Sequence, residues 1–325
     1  MNFLRRLLPT TFLILLVVLG VGFWFRHDKF FDWVSSRGYQ PSSLVKSLVA
    51  DTSMTPYAKR LFYANRPVIE PKDKFNKHCT DPSEQVAVLG CFAGNRLGIY
   101  LFDVTDERLK GIEEVTAAHE MLHQAYQRLN QQERTRVNGL LQEYHDIKAT
   151  NKLKSKIASY ETSEPEQLQN EMHSIFGTEA ADLPAELEEY YKQYFSDRQK
   201  ILALHQTYQS EFDKRIAKIS NYDDRLTALK DTIETNKKSL DVREADLHQR
   251  RNVLNAYLAA KRIKEYNSLV PGFNATVAAY KKTVSQTNDM VDEFNSVLAK
   301  RNDLAVQERQ LEDAIDSTVD TAPSQ

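Results

Sequence analysis

The chain has 325 residues, of which 27 % are charged, with only 10 Gly, 10 Pro and a formal net charge of −2. So few breakers and so many charges predict long helices with a large solvated surface, as does a mean hydropathy of −0.54. The near-neutral balance gives no reason to expect nucleic acid as a partner. Two cysteines, Cys79 and Cys91, exclude a disulfide-rich scaffold and a cysteine-ligated metal site.

Residues 1–6 form a short cytoplasmic n-region with Arg5 and Arg6, followed by LLPTTFLILLVVLGVGFWF (7–25), 19 residues without a charge. A membrane-spanning helix needs about 20, and Phe23, Trp24 and Phe25 suit the far interface. This predicts an uncleaved single-pass anchor in the cell membrane, with the remaining chain extracytoplasmic. A cleaved signal peptide is the competing reading, opposed by the length of the run and the bulky residues after it. Residues 26–75 show no sustained period and predict a short helical or irregular connection, with the connector at 26–54 and a domain from 55 to 195. Cys79 and Cys91 bracket TDPSE, so a disulfide there would clip a small loop in an oxidising compartment; two unpaired thiols are the alternative.

QVAVLGCFAG (85–94) and RLGIYLFDV (96–104) read as a β-hairpin turning at Gly94-Asn95. From Thr105 the period becomes helical, with Ile112, Val115, Ala118, Met121, Leu122 and Ala125 at three- and four-residue steps up to Asn130. A second helix fits 131–148, on Val137, Leu140, Leu141, Tyr144 and Ile147. Residues 149–162 are polar and predict a loop. Ser163-Glu-Pro-Glu166 is a capping box that opens a third helix, 164–176, with Gly177 placed to end it.

After Pro184 no Pro or Gly occurs until Pro271, a run of 86 residues. Leu226, Leu229, Ile233, Asn236, Leu240, Arg243, Leu247, Arg250, Leu254 and Tyr257, then Phe273, Val277, Tyr280, Val284, Thr287, Val291, Phe294 and Leu298, keep an alternating three–four spacing. This predicts an antiparallel coiled-coil hairpin over 196–316, turning within 259–273, and a disordered tail at 317–325. Asn267, Asn274, Asn288, Asn295 and Asn302 share one heptad position. They read as hydrophilic flank residues that fix register; a glycan- or partner-binding row is the alternative.

One stretch carries chemistry, AAHEMLHQAY (117–126). Residues four apart share a helix face, so His119 and His123 can point at one ion, and Glu120 lies about 100° round the helix, within reach of a water held there. Zinc takes three protein ligands and keeps a position for water in catalytic sites. The metal lowers the pKa of that water and the glutamate accepts its proton during attack on a carbonyl. Two histidines satisfied beside a helical core are the bland reading of the same residues.

AAHEMLHQAY resembles the active helix of zincin metallopeptidases. Tyr126 and Leu129 stand where the extended form of the motif has glycine and histidine, which directs the resemblance to the gluzincin branch. That branch takes a glutamate from a later helix, often after asparagine, as in Asn170-Glu171 of QLQNEMHSIFG. The resemblance implies that His119, His123 and Glu171 bind one zinc ion per chain and that Glu120 is the general base. It also implies that RLGIYLFDV is the edge strand that aligns an extended peptide. Glu171 follows His123 by 48 positions, so the intervening helix is an insertion. Ile175 stands where many gluzincins carry an acidic residue that orients a histidine. His173 and His145 are the other candidates for third ligand. His173 lies about 200° from Glu171 on the same helix and cannot share its metal. Tyr190, Tyr191 or Tyr194 could donate to a developing oxyanion.

The expected fold is therefore mainly α with a small β-hairpin or sheet, an α+β zincin-like domain followed by the helical hairpin. The expected function is a membrane-anchored zinc metallopeptidase acting on a peptide or protein, with room for a protein partner on the coiled coil. A non-catalytic coiled-coil envelope scaffold, or an activator of cell-wall enzymes with a vestigial motif, is the alternative.

Overall fold

The computed structural model describes residues 27–79 and 88–318. Helices α1 (27–36), α2 (Ser43–Asp51) and α3 (Pro56–Ala64) lead into strand β1 (Val68–Glu70), helix α4 (Lys72–His78) and strands β2 (Gly90–Phe92) and β3 (Ile99–Phe102). Helices α5 (Ile112–Gln127), α6 (Gln131–Ile147), α7 (Asn151–Ser163), α8 (Leu168–Glu179) and α9 (Ala185–Tyr191) follow. Two long helices, α10 (Arg198–Ala259) and α11 (Ile263–Ile315), complete the chain. The protein is mainly helical, with a small three-stranded sheet. It divides into two compact units, one holding the described residues up to Glu211 and from Leu311, the other Phe212–Gln310.

In the first unit, side-chain caps define many of the helix starts. Ser42 accepts from the Val45 amide, Thr55 from Ala58 with Pro56 in the first turn, and Thr150 from Leu153. Asn130 and Glu133 form a reciprocal capping box at α6. The apolar face of α5, with Ala117, Ala118, Met121, Leu122 and Ala125 all 0 % exposed, is the centre of the core. Leu61 and Phe62 of α3, Ile99 and Leu101 of β3, and Ile175 and Phe176 of α8 belong to the same cluster. Val45, Leu48 and Val49 of α2 are also part of it, so the stretch read as a connector contributes to the domain core.

Strand β3 is central. It pairs in parallel with β1 (Ile69 opposite Leu101) and antiparallel with β2 (Cys91 opposite Tyr100). The hairpin at Gly94 appears where the sequence places it, although residues 80–87 lie outside the described residues. A disulfide joins Cys79, at the end of α4, to Cys91 in β2. Because β3 is hydrogen-bonded on both sides, RLGIYLFDV is not an edge strand, and β1 and β2 flank it as the edges.

Further expectations need correction. The loop expected at 149–162 is largely helix α7, whose buried face is only Leu153 and Ile157, too sparse a stripe to stand out in a polar stretch. The third helix does not start at Ser163, which ends α7; α8 starts at Leu168 and runs through Gly177 to Glu179. The predicted single-pass anchor is not supported either. Among the described residues no helix is long and apolar enough to cross a membrane, and residues 7–25 lie outside them.

In the second unit α10 and α11 pack as a hairpin. Cross-helix pairs Arg225–Glu293 and Asp223–Arg301, with Asn236 Nδ2 donating to Met290 Sδ, show the antiparallel sense. The turn falls at 260–262, with Lys261 in the left-handed region, inside the expected window. Pro271 lies within α11 rather than at the turn. Leu229, Leu254 and Thr287 are buried, while Asn267, Asn274, Asn288, Asn295 and Asn302 all face solvent.

Two glycines give opposite expectations. A Cβ at Gly177 would stand 2.5 Å from Leu122 Cδ1 and 2.8 Å from Tyr191 Cε1, whereas one at Gly139 in α6 meets nothing within 4 Å. Alanine at Gly139 should stabilise by about 0.5–1 kcal/mol through helix propensity. At Gly177 overpacking should outweigh that gain and cost about 1–2 kcal/mol net. Urea denaturation of the two variants beside wild type gives the signs.

Candidate metal centre

Helix α5 presents His119 and His123 one turn apart, their rings edge to face with centroids 4.6 Å apart. Glu171, in the first turn of α8, projects a carboxylate between them. Its Oε2 lies 3.5 Å from His119 Nε2 and its Oε1 3.5 Å from His123 Nε2. These separations are too long for good hydrogen bonds. They match the spacing of ligands about 2.0–2.2 Å from one tetrahedral ion, roughly 3.3–3.6 Å. Glu171 Oε2 is buried without a hydrogen-bond partner, as an atom awaiting a cation would be. Two imidazole nitrogens and a carboxylate are a donor set that zinc accepts.

Glu120 sits beside this cluster, and one ligand atom each from His119, Glu120 and His123 lie within 4.8 Å of one another. Two carboxylates thus converge on the imidazoles, and their environments separate them. Burial pushes Glu120 up to about 7, His119 opposing and Glu171 reinforcing the rise. Burial also acts upward on Glu171, but His123 and His119 outweigh it and hold that carboxylate down to about 2. The ionised group suits a ligand, and the group near neutrality suits a proton acceptor. Room for Glu120 comes from Gly90 of β2, where a Cβ would stand 2.9 Å from Glu120 Cγ and Oε1.

Ser174 supplies an orienting contact that sequence reading missed, its Oγ standing 3.1 Å from His123 Nδ1. That bond fixes the ring with Nε2 towards Glu171. Ile175, where many gluzincins carry an acidic residue, is fully buried in the core. The signal for Ser174 was its place three residues after Glu171, on a neighbouring face of the helix.

The other candidates lie elsewhere. His173 is fully buried, its Nε2 2.8 Å from Tyr190 Oη, while Tyr191 Oη donates to its backbone carbonyl at 2.7 Å. Burial, with the charges of His123 and His119, pushes His173 down to about 3, so it is a neutral packing group. Tyr190, Tyr191 and Tyr194 surround it in the interior. His145 pairs with Asp146 on α6 at 3.0 Å, away from the cluster. A further polar group joins α8 to the start of α10, with Glu179 bound to Lys156 and 3.6 Å from His205. Burial raises Glu179, but Lys156 and His205 outweigh it and leave the carboxylate below its ordinary range.

No family model, curated protein or solved structure matches the chain. The site is therefore assigned on its geometry.

The high value at Glu120 has a consequence for stability. Its folded-state pKa of about 7 exceeds the ordinary 4.5, so folding takes up a proton between those values. Stability falls as pH rises through that window and levels off above it. Without metal, Glu120→Gln should be more stable than wild type at pH 8 by about 2–3 kcal/mol, the gap closing towards pH 4. Urea titrations of the chelator-treated proteins at both pH values measure it.

Proposed function

We propose that this protein is a zinc-dependent metallopeptidase of the gluzincin kind, with His119, His123 and Glu171 holding one zinc ion per chain and Glu120 as general base. The observation that carries the proposal is the buried Glu171 carboxylate set 3.5 Å from two imidazole nitrogens, beside the second carboxylate of Glu120. When bound, zinc supplies a Lewis acid that polarises a peptide carbonyl and acidifies a water.

The remaining work belongs to the chain. Glu120 accepts the proton of the attacking water and passes it to the departing amine nitrogen. Ser174 keeps His123 facing Glu171. Gly90 brings the β2 backbone against Glu120, so a peptide paired to that edge lies alongside the base. A peptide or protein substrate in extended form fits this arrangement. A coiled-coil scaffold with a vestigial motif is the competing class, favoured by the long α10–α11 hairpin.

Metal analysis of the dialysed full chain should find about one zinc in wild type and in Glu120→Gln, and none in His123→Ala or Glu171→Ala. Peptide hydrolysis should fall by about 10²–10⁴-fold in Glu120→Gln. A folded wild type that holds no zinc overturns the peptidase reading in favour of the scaffold. Ser174→Ala should keep the fold and weaken zinc binding by about 10–100-fold, measured by competition with a chromophoric chelator.

A further inference from the structure

Among the described residues no strand pairs with the outer edge of β2, but that edge meets a partner from far along the chain. Phe102 N–H donates to Leu89 C=O at 2.8 Å, Cys91 pairs with Tyr100, and Ala93 N–H donates to Gly98 C=O at 3.0 Å. Residues 89, 91 and 93 therefore turn their backbone groups towards β3. By the alternation of an antiparallel ladder, Val88, Gly90 and Phe92 turn theirs to the outer edge. Such an edge is a template for an added strand. Its first outward carbonyl is already taken, because Ser317 Oγ donates to Val88 C=O at 2.6 Å.

That contact is not isolated. Asn76 Nδ2 donates to the Ser317 carbonyl, and Lys72 Nζ lies 3.8 Å from Asp316 Oδ2. Ser317 is 2 % exposed and Leu311 is fully buried, so the end of α11 and residues 316–318 are seated in the first unit. Val88 precedes Gly90 by two residues, roughly 7 Å along a strand, and Gly90 touches Glu120.

We propose that the C-terminal segment at Asp316–Thr318 is an intramolecular occupant of the β2 edge, an autoinhibitory strap that an extended peptide must displace to lie beside Glu120. The proposal rests on the peptidase reading for its consequence, though not for the contact itself. A segment tethered to its own site competes at a high effective concentration, so a peptide offered in solution meets a lowered apparent affinity. Release of the strap raises peptide affinity and leaves the metal ligands untouched.

The test compares the full-length chain, a chain ending at Ile315, and full-length Asn76→Ala, which loosens the strap without shortening the chain. The probe is fluorescein-labelled DSTVDTAPSQ, the sequence of residues 316–325, followed by fluorescence anisotropy. Hydrolysis of a fluorogenic peptide mixture is read in parallel, with zinc content as control. The shortened chain should bind the probe about tenfold or more tightly than the full-length chain, with Asn76→Ala between them. Hydrolysis should rise by a similar factor through KM. Equal probe binding by all three, or none to a folded shortened chain, overturns the strap. Should the shortened chain fail to fold, Asn76→Ala decides alone, and wild-type probe binding by it overturns the proposal. Probe binding in the expected order without hydrolysis by any chain sustains the strap and removes the peptidase reading. Hydrolysis equal in all three removes the strap and keeps the peptidase.

Discussion

The contact between α5 and α8 is the constraint on which the candidate site depends. The helices pack with Tyr126 against His173, His123 against Ser174 and Leu122 against Gly177. Glycine at 177 lets Leu122 and Tyr191 occupy space that any side chain would claim. Only at that separation does Glu171 reach both imidazoles. A close-packed interior transmits a small displacement rather than absorbing it, so ligand spacing inherits the precision of this helix pair.

Around that contact the protein separates two kinds of buried polar group. His173 Nε2, Tyr190 and Tyr194 are linked through the tyrosine hydroxyls, and Tyr191 Oη donates to the His173 carbonyl, in a neutral, packed layer. On the other side of α8, Glu171 is ionised and lacks a hydrogen bond to Oε2. An unsatisfied buried carboxylate costs free energy in the metal-free protein. Two histidines stand at matching distance, where a cation would relieve that cost.

The sheet contributes position more than stability. With three short strands it is too small to form a core alone, yet it sets β2 against Glu120. The disulfide from Cys79 to Cys91 ties this edge strand to α4, and Asn76 of the same helix holds the C-terminal segment. The chain leaves the first unit after Glu211 and re-enters it at Leu311, so residues distant in sequence meet at one strand edge.

Local periodicity determined much of this without a structure. The i, i+4 spacing of His119 and His123 needs only a helix to become a shared face, and the apolar residues around it specify that helix. The heptads of α10 and α11 and the turn at Gly94 were legible for the same reason. Tertiary structure decided what depends on partners far along the chain. Strand β1 is three residues long and exists because β3 pairs with it; α7 exists because two residues of a polar stretch find a core. Gly177 reads as a helix stop, yet continues α8 because Leu122 and Tyr191 need its missing side chain. Ser174 meets His123, and β3 becomes the central strand rather than an edge, only once the elements pack. A sequence period records which face of an element is apolar, but the face it meets is set by packing among residues that the period does not connect.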